Sequence, residues 1–102
     1  MKMNQLERIE HFEKIFDETS AAIENLSSAV ESYAAIQEKY FELMSYYGGD
    51  WLKDYEAEEA GKIPKDLKRG VLSQDSVYDL LTKNRELQIK ILEIFADILR
   101  KG

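Results

Sequence analysis

The feature that most constrains this fold is a run of 42 residues, from Leu6 to Tyr47, that contains neither glycine nor proline. Within the run, one row of mostly apolar residues recurs every seven positions from Ile9, and a second row recurs from Phe12. A third row on the flank widens the apolar face. A broad face kept in one register is typical of a helix that packs on a core. The pattern predicts one long helix over about residues 4–47, roughly 60 Å in length.

One segment of this run offers an alternative start for a helix. In the sequence DETS, residues 17–20, Asp17 or Thr19 has a side chain suited to a helix N-cap. However, the seven-residue pattern passes through this segment without a change of phase, and no residue there favours a turn. We therefore expect the helix to continue, straight or bent. A break there would instead let the first 16 residues fold back as the third helix of a bundle.

A second long helix is predicted near the C-terminus, over about residues 75–100. Ser73 or Ser76 has the side chain of an N-cap, and the apolar residues between Val77 and Ile98 keep helical spacing. Basic residues close the segment, which suits the negative end of a helix dipole.

The predicted fold is all-α, a single helical domain over residues 1–102. In it the long N-terminal helix packs antiparallel on the C-terminal helix, and an aromatic-rich connector with short helices, residues 48–73, joins them. A C-terminal helix of about 25 residues would cover the first helix only as far as about residue 22. An apolar stripe would then overhang, and we name it the association stripe: Leu6, Ile9, Phe12, Ile15 and Phe16.

An overhanging stripe of this kind needs a cover, because soluble monomers usually avoid large apolar patches. A second copy of the chain is the first candidate, since two-fold homo-oligomers are common. A different partner protein is the second candidate, and the fold-back at residues 17–20 is the third. The sequence therefore predicts a homodimer or a complex with a protein partner.

The connector concentrates the unusual residues of the chain. The segment from Tyr46 to Asp75 holds four of the five glycines, the only proline and the only tryptophan. A short helix is predicted from about Asp50 to Ala60, with Asp50 as its N-cap. Gly61 follows at the position where helices often end in a left-handed residue.

Two interpretations of the connector are open. In the structural one, the aromatic residues form a small core, the four glycines adopt positive φ in sharp turns, and Asp54 and Asp66 pair with Lys68 or Arg69. In the functional one, aromatic and charged residues form a recognition surface for a protein segment or a small polar ligand. The residues of this candidate recognition surface are Tyr46, Tyr47, Asp50, Trp51, Asp54, Tyr55, Lys68, Arg69 and Tyr78.

One motif spans the connector and the start of the second helix, with the residues Tyr46, Asp50, Trp51, Asp54, Tyr55, Gly61, Pro64, Leu67, Gly70, Val71, Leu72, Ser73, Asp75 and Tyr78. This motif resembles the signature of a family of bacterial proteins of roughly 100 residues, catalogued only as a domain of unknown function. The resemblance extends over nearly the whole chain. It implies that the connector is the hallmark of the family, and it implies no activity, substrate or cofactor.

Composition excludes several classes of function. The chain has no cysteine, which excludes disulfides, thiolate metal sites and a cysteine nucleophile. The net charge of −6 argues against a nucleic-acid partner and against anionic membrane surfaces. His11 is the only histidine, and no metal, phosphate-loop or triad motif is present. We expect no catalytic residue, no metal site and no cofactor. Because no segment has the apolar length of a signal peptide or a membrane span, the predicted location is the cytoplasm.

The function expected from these patterns is that of a non-enzymatic helical protein–protein interaction module that self-associates. Two alternatives are open. The acidity of the chain would suit an immunity protein or antitoxin that binds a basic partner. A small-ligand-binding protein or an enzyme would use residues 46–78, the connector together with the residues that flank it, to form its pocket.

Overall fold

A computed structural model describes residues 2–102, and over this range helices are the only regular secondary structure. The all-α class is confirmed, with a long N-terminal helix and a long C-terminal helix. The chain divides into two compact units, one ending at Glu42 and the other over Leu43–Gly102. The single domain and the antiparallel packing of the long helices stay predictions. The elements are α1 (Gln5–Ala35), α2 (Gln37–Tyr47), α3 (Trp51–Glu59), a 3₁₀ turn (Gly70–Leu72) and α4 (Ser76–Lys101).

α1 begins after Asn4, whose side-chain oxygen accepts a hydrogen bond from the backbone N–H of Glu7 at 2.8 Å. The cap satisfies a backbone N–H of the first turn that has no partner within the helix. The helix then continues without a break through residues 17–20. The first 16 residues therefore do not fold back as a separate helix, which removes that alternative for covering the association stripe.

The helix predicted over about residues 4–47 is interrupted at a single position, Ile36. The next helix starts at once, since the backbone N–H of Tyr40 donates to the Ile36 carbonyl at 2.9 Å. Near the end of α1, the Tyr33 carbonyl accepts a hydrogen bond from the side-chain amide of Gln37 at 2.9 Å. A side chain that enters the backbone ladder in this way is a recognised cause of helix irregularity, and we attribute the interruption to it.

The second unit has a small core at the 3₁₀ turn. Leu72 in the turn and Val77 in the first turn of α4 are the buried hydrophobic residues among those the structure describes. Both α3 and α4 contact the turn, so the turn links the connector to the C-terminal helix. The N-cap position of α4 is occupied by Asp75, and not by Ser73 or Ser76 as the sequence suggested.

α3 ends at a left-handed glycine, Gly61, whose φ is +72°. The N–H of Gly61 donates to the Glu58 carbonyl at 3.0 Å, and that of Lys62 donates to the Ala57 carbonyl at 2.9 Å. These are the two hydrogen bonds of a Schellman motif, so the prediction for Gly61 is confirmed.

The expectation of positive φ at the other three connector glycines is wrong, because Gly61 alone has it within residues 2–102. Gly49 has a different reason to lack a side chain. A Cβ there would lie 3.1 Å from the backbone oxygen of Ser45, so close approach of the backbone favours glycine at this position.

We expect Gly61→Ala to lower the free energy of unfolding by about 1 kcal/mol, because an L-residue with a Cβ is strained in the left-handed conformation. Gly70→Ala is the matched control, since Gly70 lacks positive φ and a Cβ there meets no atom within 4 Å. Its effect should stay within about 0.5 kcal/mol. Urea denaturation at one protein concentration measures both variants, and equal losses would contradict the assignment.

Candidate functional site

The candidate recognition surface contains a short hydrogen bond between the end of α2 and α3. The Tyr46 hydroxyl donates to Oδ2 of Asp54 at 2.6 Å. This hydrogen bond, partial burial and the negative charges of Asp54 and Asp50 raise the pKa of Tyr46 to about 12. The hydroxyl therefore stays protonated, because ionisation would place its negative charge against a carboxylate.

Trp51 lies at the centre of an aromatic column. The ring of Tyr55 stacks on it with centroids 5.0 Å apart and an interplanar angle of 15°. The ring of Tyr47 meets it edge-on with centroids 5.1 Å apart. The indole Nε1–H donates to the Val71 carbonyl at 2.8 Å, so the only side-chain hydrogen-bond donor of the tryptophan ties α3 to the 3₁₀ turn.

Arg69 fastens the loop between α3 and the 3₁₀ turn. Its Nε forms an ion pair with Oε1 of Glu58 at 2.8 Å, and its Nη1 donates to the Pro64 carbonyl at 2.6 Å. The side chains of the pair are 29% and 28% exposed, which shields them from water more than a surface pair. The expected pairing of Arg69 with Asp54 or Asp66 is wrong, since Glu58 is its partner.

A surface depression of about 370 Å³ lies beside this ion pair. Two residues of the candidate recognition surface, Tyr55 and Arg69, take part in its lining. Glu58 is the residue that sequence reasoning missed. It lies eleven positions before Arg69, which is about three turns or 16 Å in a regular helix, so only the path of the loop brings the two side chains together. The full lining is Tyr55, Glu58, Glu59, Arg69, Gly70, Leu72, Ser73 and Gln74.

The remaining residues of the candidate recognition surface are Asp50, Lys68 and Tyr78, and all three are exposed. Asp50 occupies the N-cap position of α3 without a side-chain hydrogen bond. Tyr78 is 58% exposed on the first turn of α4. The structure thus joins five of the nine residues by direct contacts with one another, since Tyr46 bonds to Asp54 and Trp51 contacts both Tyr47 and Tyr55. The role of the set in recognition stays a prediction.

The association stripe lies in the first unit, on α1, and none of the residues in Gln5–Ala35 is buried. Its five members are exposed by between 42% and 72%. The face also carries a depression of about 420 Å³, which contains three stripe residues and two charged neighbours: Arg8, Ile9, Phe12, Glu13 and Phe16. Large apolar side chains therefore lie in water along three turns of helix.

α4 carries a second apolar face, which the sequence pattern predicted from its helical spacing. Only Val77, at the start of the helix, is buried within Ser76–Lys101. The other large apolar residues of the face are exposed by between 36% and 58%. They are Leu80, Leu81, Leu87, Ile91, Ile94, Phe95 and Ile98.

Residues 2–102 contain no group of three histidine, cysteine, aspartate or glutamate side chains that could hold a metal ion. The ring of His11 meets the ring of Phe12 edge-on, with centroids 5.0 Å apart. Every helix in the part of the chain that the structure describes is too short or too polar to span a bilayer.

Comparison with known proteins identifies one family. The model of the family described as Domain of unknown function (DUF4298) matches residues 9–94. No curated protein and no solved structure matches the chain. The matched range includes the connector motif, so the resemblance of that motif to a family catalogued as a domain of unknown function is confirmed.

We expect Tyr46→Phe to lower the free energy of unfolding by about 1 kcal/mol at neutral pH, because it removes the hydrogen bond to Asp54. The pKa of Tyr46 is raised above the ordinary value of 10.0. The stabilisation is therefore complete below pH 10 and is lost as the pH rises through about 12. Denaturation of wild type and variant across this pH range should show the two stabilities converging. Tyr78→Phe is the control, and a Tyr46 difference independent of pH would contradict the assignment.

We expect the double variant Trp51→Ala and Tyr55→Ala to lose at least about 3 kcal/mol of stability, because it removes the stacked pair and the bond to Val71. Thermal unfolding followed by circular dichroism measures the loss. Tyr78→Ala, at an exposed tyrosine, should change the melting temperature little. A double variant that melts cooperatively near the wild-type temperature would favour the recognition interpretation over the structural one.

Proposed function

The chain belongs to the DUF4298 family, a domain of unknown function, and we propose that it is a non-enzymatic helical protein–protein interaction module that self-associates. The observation that carries the proposal is the exposure of the association stripe on α1. Phe12 and Phe16 are 55% and 68% exposed, and they lie one helical turn apart. A contiguous apolar patch on a soluble protein is a common mark of an interaction surface.

The energetics of burial favour a partner at this stripe. Full burial of one large apolar side chain contributes about 1.5–3 kcal/mol. In a two-fold dimer every residue of the interface is present twice, so five stripe residues supply ten buried side chains. Phenylalanines near the centre of such an interface are suited to anchor it.

The contacts of the connector support a non-enzymatic role. The Tyr46 hydroxyl, the Trp51 indole N–H and the Arg69 guanidinium each bond to another group of the same unit. A ligand would have to replace these hydrogen bonds to use the same groups. The polar groups of these three side chains are thus already engaged within the unit, and the rings of Tyr47 and Tyr55 pack on Trp51.

We expect the wild-type chain to have a solution mass of twice 11.9 kDa at micromolar concentration. The double variant Phe12→Ser and Phe16→Ser should raise the dimer dissociation constant by about 100-fold or more, because four aromatic side chains leave one interface. Analytical ultracentrifugation over a concentration series measures both constants. The two serines leave the net charge unchanged, so electrostatic repulsion is the same in both proteins.

Leu52→Ser with Leu67→Ser is the matched control, because these connector residues are 57% and 56% exposed. This control removes similar apolar area without touching α1 and should leave the dissociation constant unchanged. A wild-type monomer at these concentrations would contradict self-association. A different protein would then be the partner of the stripe, for example a basic protein of the type that an immunity protein or antitoxin binds.

A further inference from the structure

We propose that the association stripe of one copy docks on the exposed apolar face of α4 in a second copy, so that two chains make the same contact reciprocally. The inference rests on the proposed self-association and adds to it the surface that receives the stripe. The association stripe of each chain is therefore covered by the apolar face of α4 in the other chain.

The charges of the two helices favour this pairing over a pairing of α1 with α1. Seven acidic and two basic side chains give α1 a net charge of −5. Four acidic and five basic side chains give α4 a net charge of +1. Two copies of α1 aligned in parallel would bring −5 against −5, and like charges across an interface oppose association. α4 offers an apolar face without that repulsion.

The arrangement of the charges along each helix agrees with the net values. Acidic residues recur every seven positions on α1, and Lys83 and Lys90 lie seven positions apart on α4. Seven residues rise by about 10.5 Å, so both rows have the same repeat and each keeps to one side of its helix. The two lysines and the acidic row are exposed. The members of the acidic row within α1 are Glu10, Asp17, Glu24 and Glu31.

The lengths of the two surfaces are compatible. The stripe extends over 11 residues, from Leu6 to Phe16, which is about 16 Å of helix. The exposed face of α4 runs from Leu80 to Ile98, about 28 Å. One α4 face can therefore receive the whole stripe of the partner. A two-fold arrangement repeats the contact and covers both stripes with no third chain.

Cross-linking tests the pairing directly, since the chain has no cysteine of its own and each introduced thiol is unique. One copy carries Phe12→Cys and an affinity tag. The other is untagged and carries Leu80→Cys, Leu87→Cys or Ile94→Cys, a scan in steps of seven positions along the α4 face. The copies are mixed, equilibrated and treated with a bismaleimide. We expect a covalent tagged–untagged dimer at one or more of the three α4 positions.

The outcomes separate this inference from the proposed function. A predominantly tagged–tagged product would show α1 against α1, which overturns the inference and leaves self-association in place. A predominantly untagged–untagged product would show α4 against α4, with the same consequence. A monomeric protein in which a chain carrying both Phe12→Cys and Leu87→Cys links to itself would overturn the inference and the proposed function together.

Charge reversal gives a second measurement that needs no cysteine. Lys83→Glu with Lys90→Glu should weaken the dimer about tenfold, because four lysines, two from each chain, each lose about 0.35 kcal/mol of attraction to the acidic α1 of the partner. Lys62→Glu with Lys65→Glu is the matched control, with the same change in net charge placed on exposed connector lysines. Circular dichroism checks that both variants fold. Equal effects of the two double variants would overturn the inference.

Discussion

The apolar face of a helix has to be removed from water, and this constraint governs the structure. α1 carries such a face along its length, and none of the residues in Gln5–Ala35 is buried. α4 carries another, and only Val77 is buried in Ser76–Lys101. Long helices gain most of their stability from the packing of this face and not from intrinsic propensity. The proposed self-association would provide the missing cover, because two copies of one chain are always present together and in equal amounts, and the net charges of α1 and α4 differ in sign.

The connector differs from these uncovered helix faces, because its distinctive residues already contact one another. Tyr46 bonds to Asp54, Trp51 to the Val71 carbonyl, and the Arg69 side chain to Glu58 and the loop carbonyl of Pro64. These contacts join residues that lie between 5 and 20 positions apart along the chain, so together they fix a loop that has little regular structure. Aromatic and charged residues that resemble a binding motif in the sequence thus contact one another, and within the described residues of this unit only Leu72 and Val77 are buried.

The sequence predicted the features that depend on local pattern. Helical periodicity indicated the all-α class, and the position of Gly61 after a short helix indicated its left-handed conformation. The sequence did not predict the interruption at Ile36, because Gln37 occupies a position of the seven-residue repeat. The interruption depends on the hydrogen bond from the Gln37 side chain to the Tyr33 carbonyl, which disturbs the backbone hydrogen bonds of the helix. Nor did the sequence predict the pair of Glu58 and Arg69, which depends on the path of the intervening loop. The expectation of positive φ at every connector glycine rests on the need for it in sharp turns, and the sequence of a turn does not distinguish a left-handed residue from a close backbone approach such as that at Gly49.

The connector and the apolar face of α4 are linked through the start of α4. The indole of Trp51 holds the 3₁₀ turn, and Leu72 of that turn is buried along with Val77, the first apolar residue of the α4 face. The connector therefore determines where α4 begins and which side of it packs on the turn. The residues that follow at helical spacing inherit that orientation, so the exposed face of α4 is presented in a direction that the connector sets. In the proposed dimer the connector would then also be required for association, although none of its own side chains has to touch the partner. Because so little apolar surface is buried at the turn, the stability of the folded chain should depend on the concentration of its second copy.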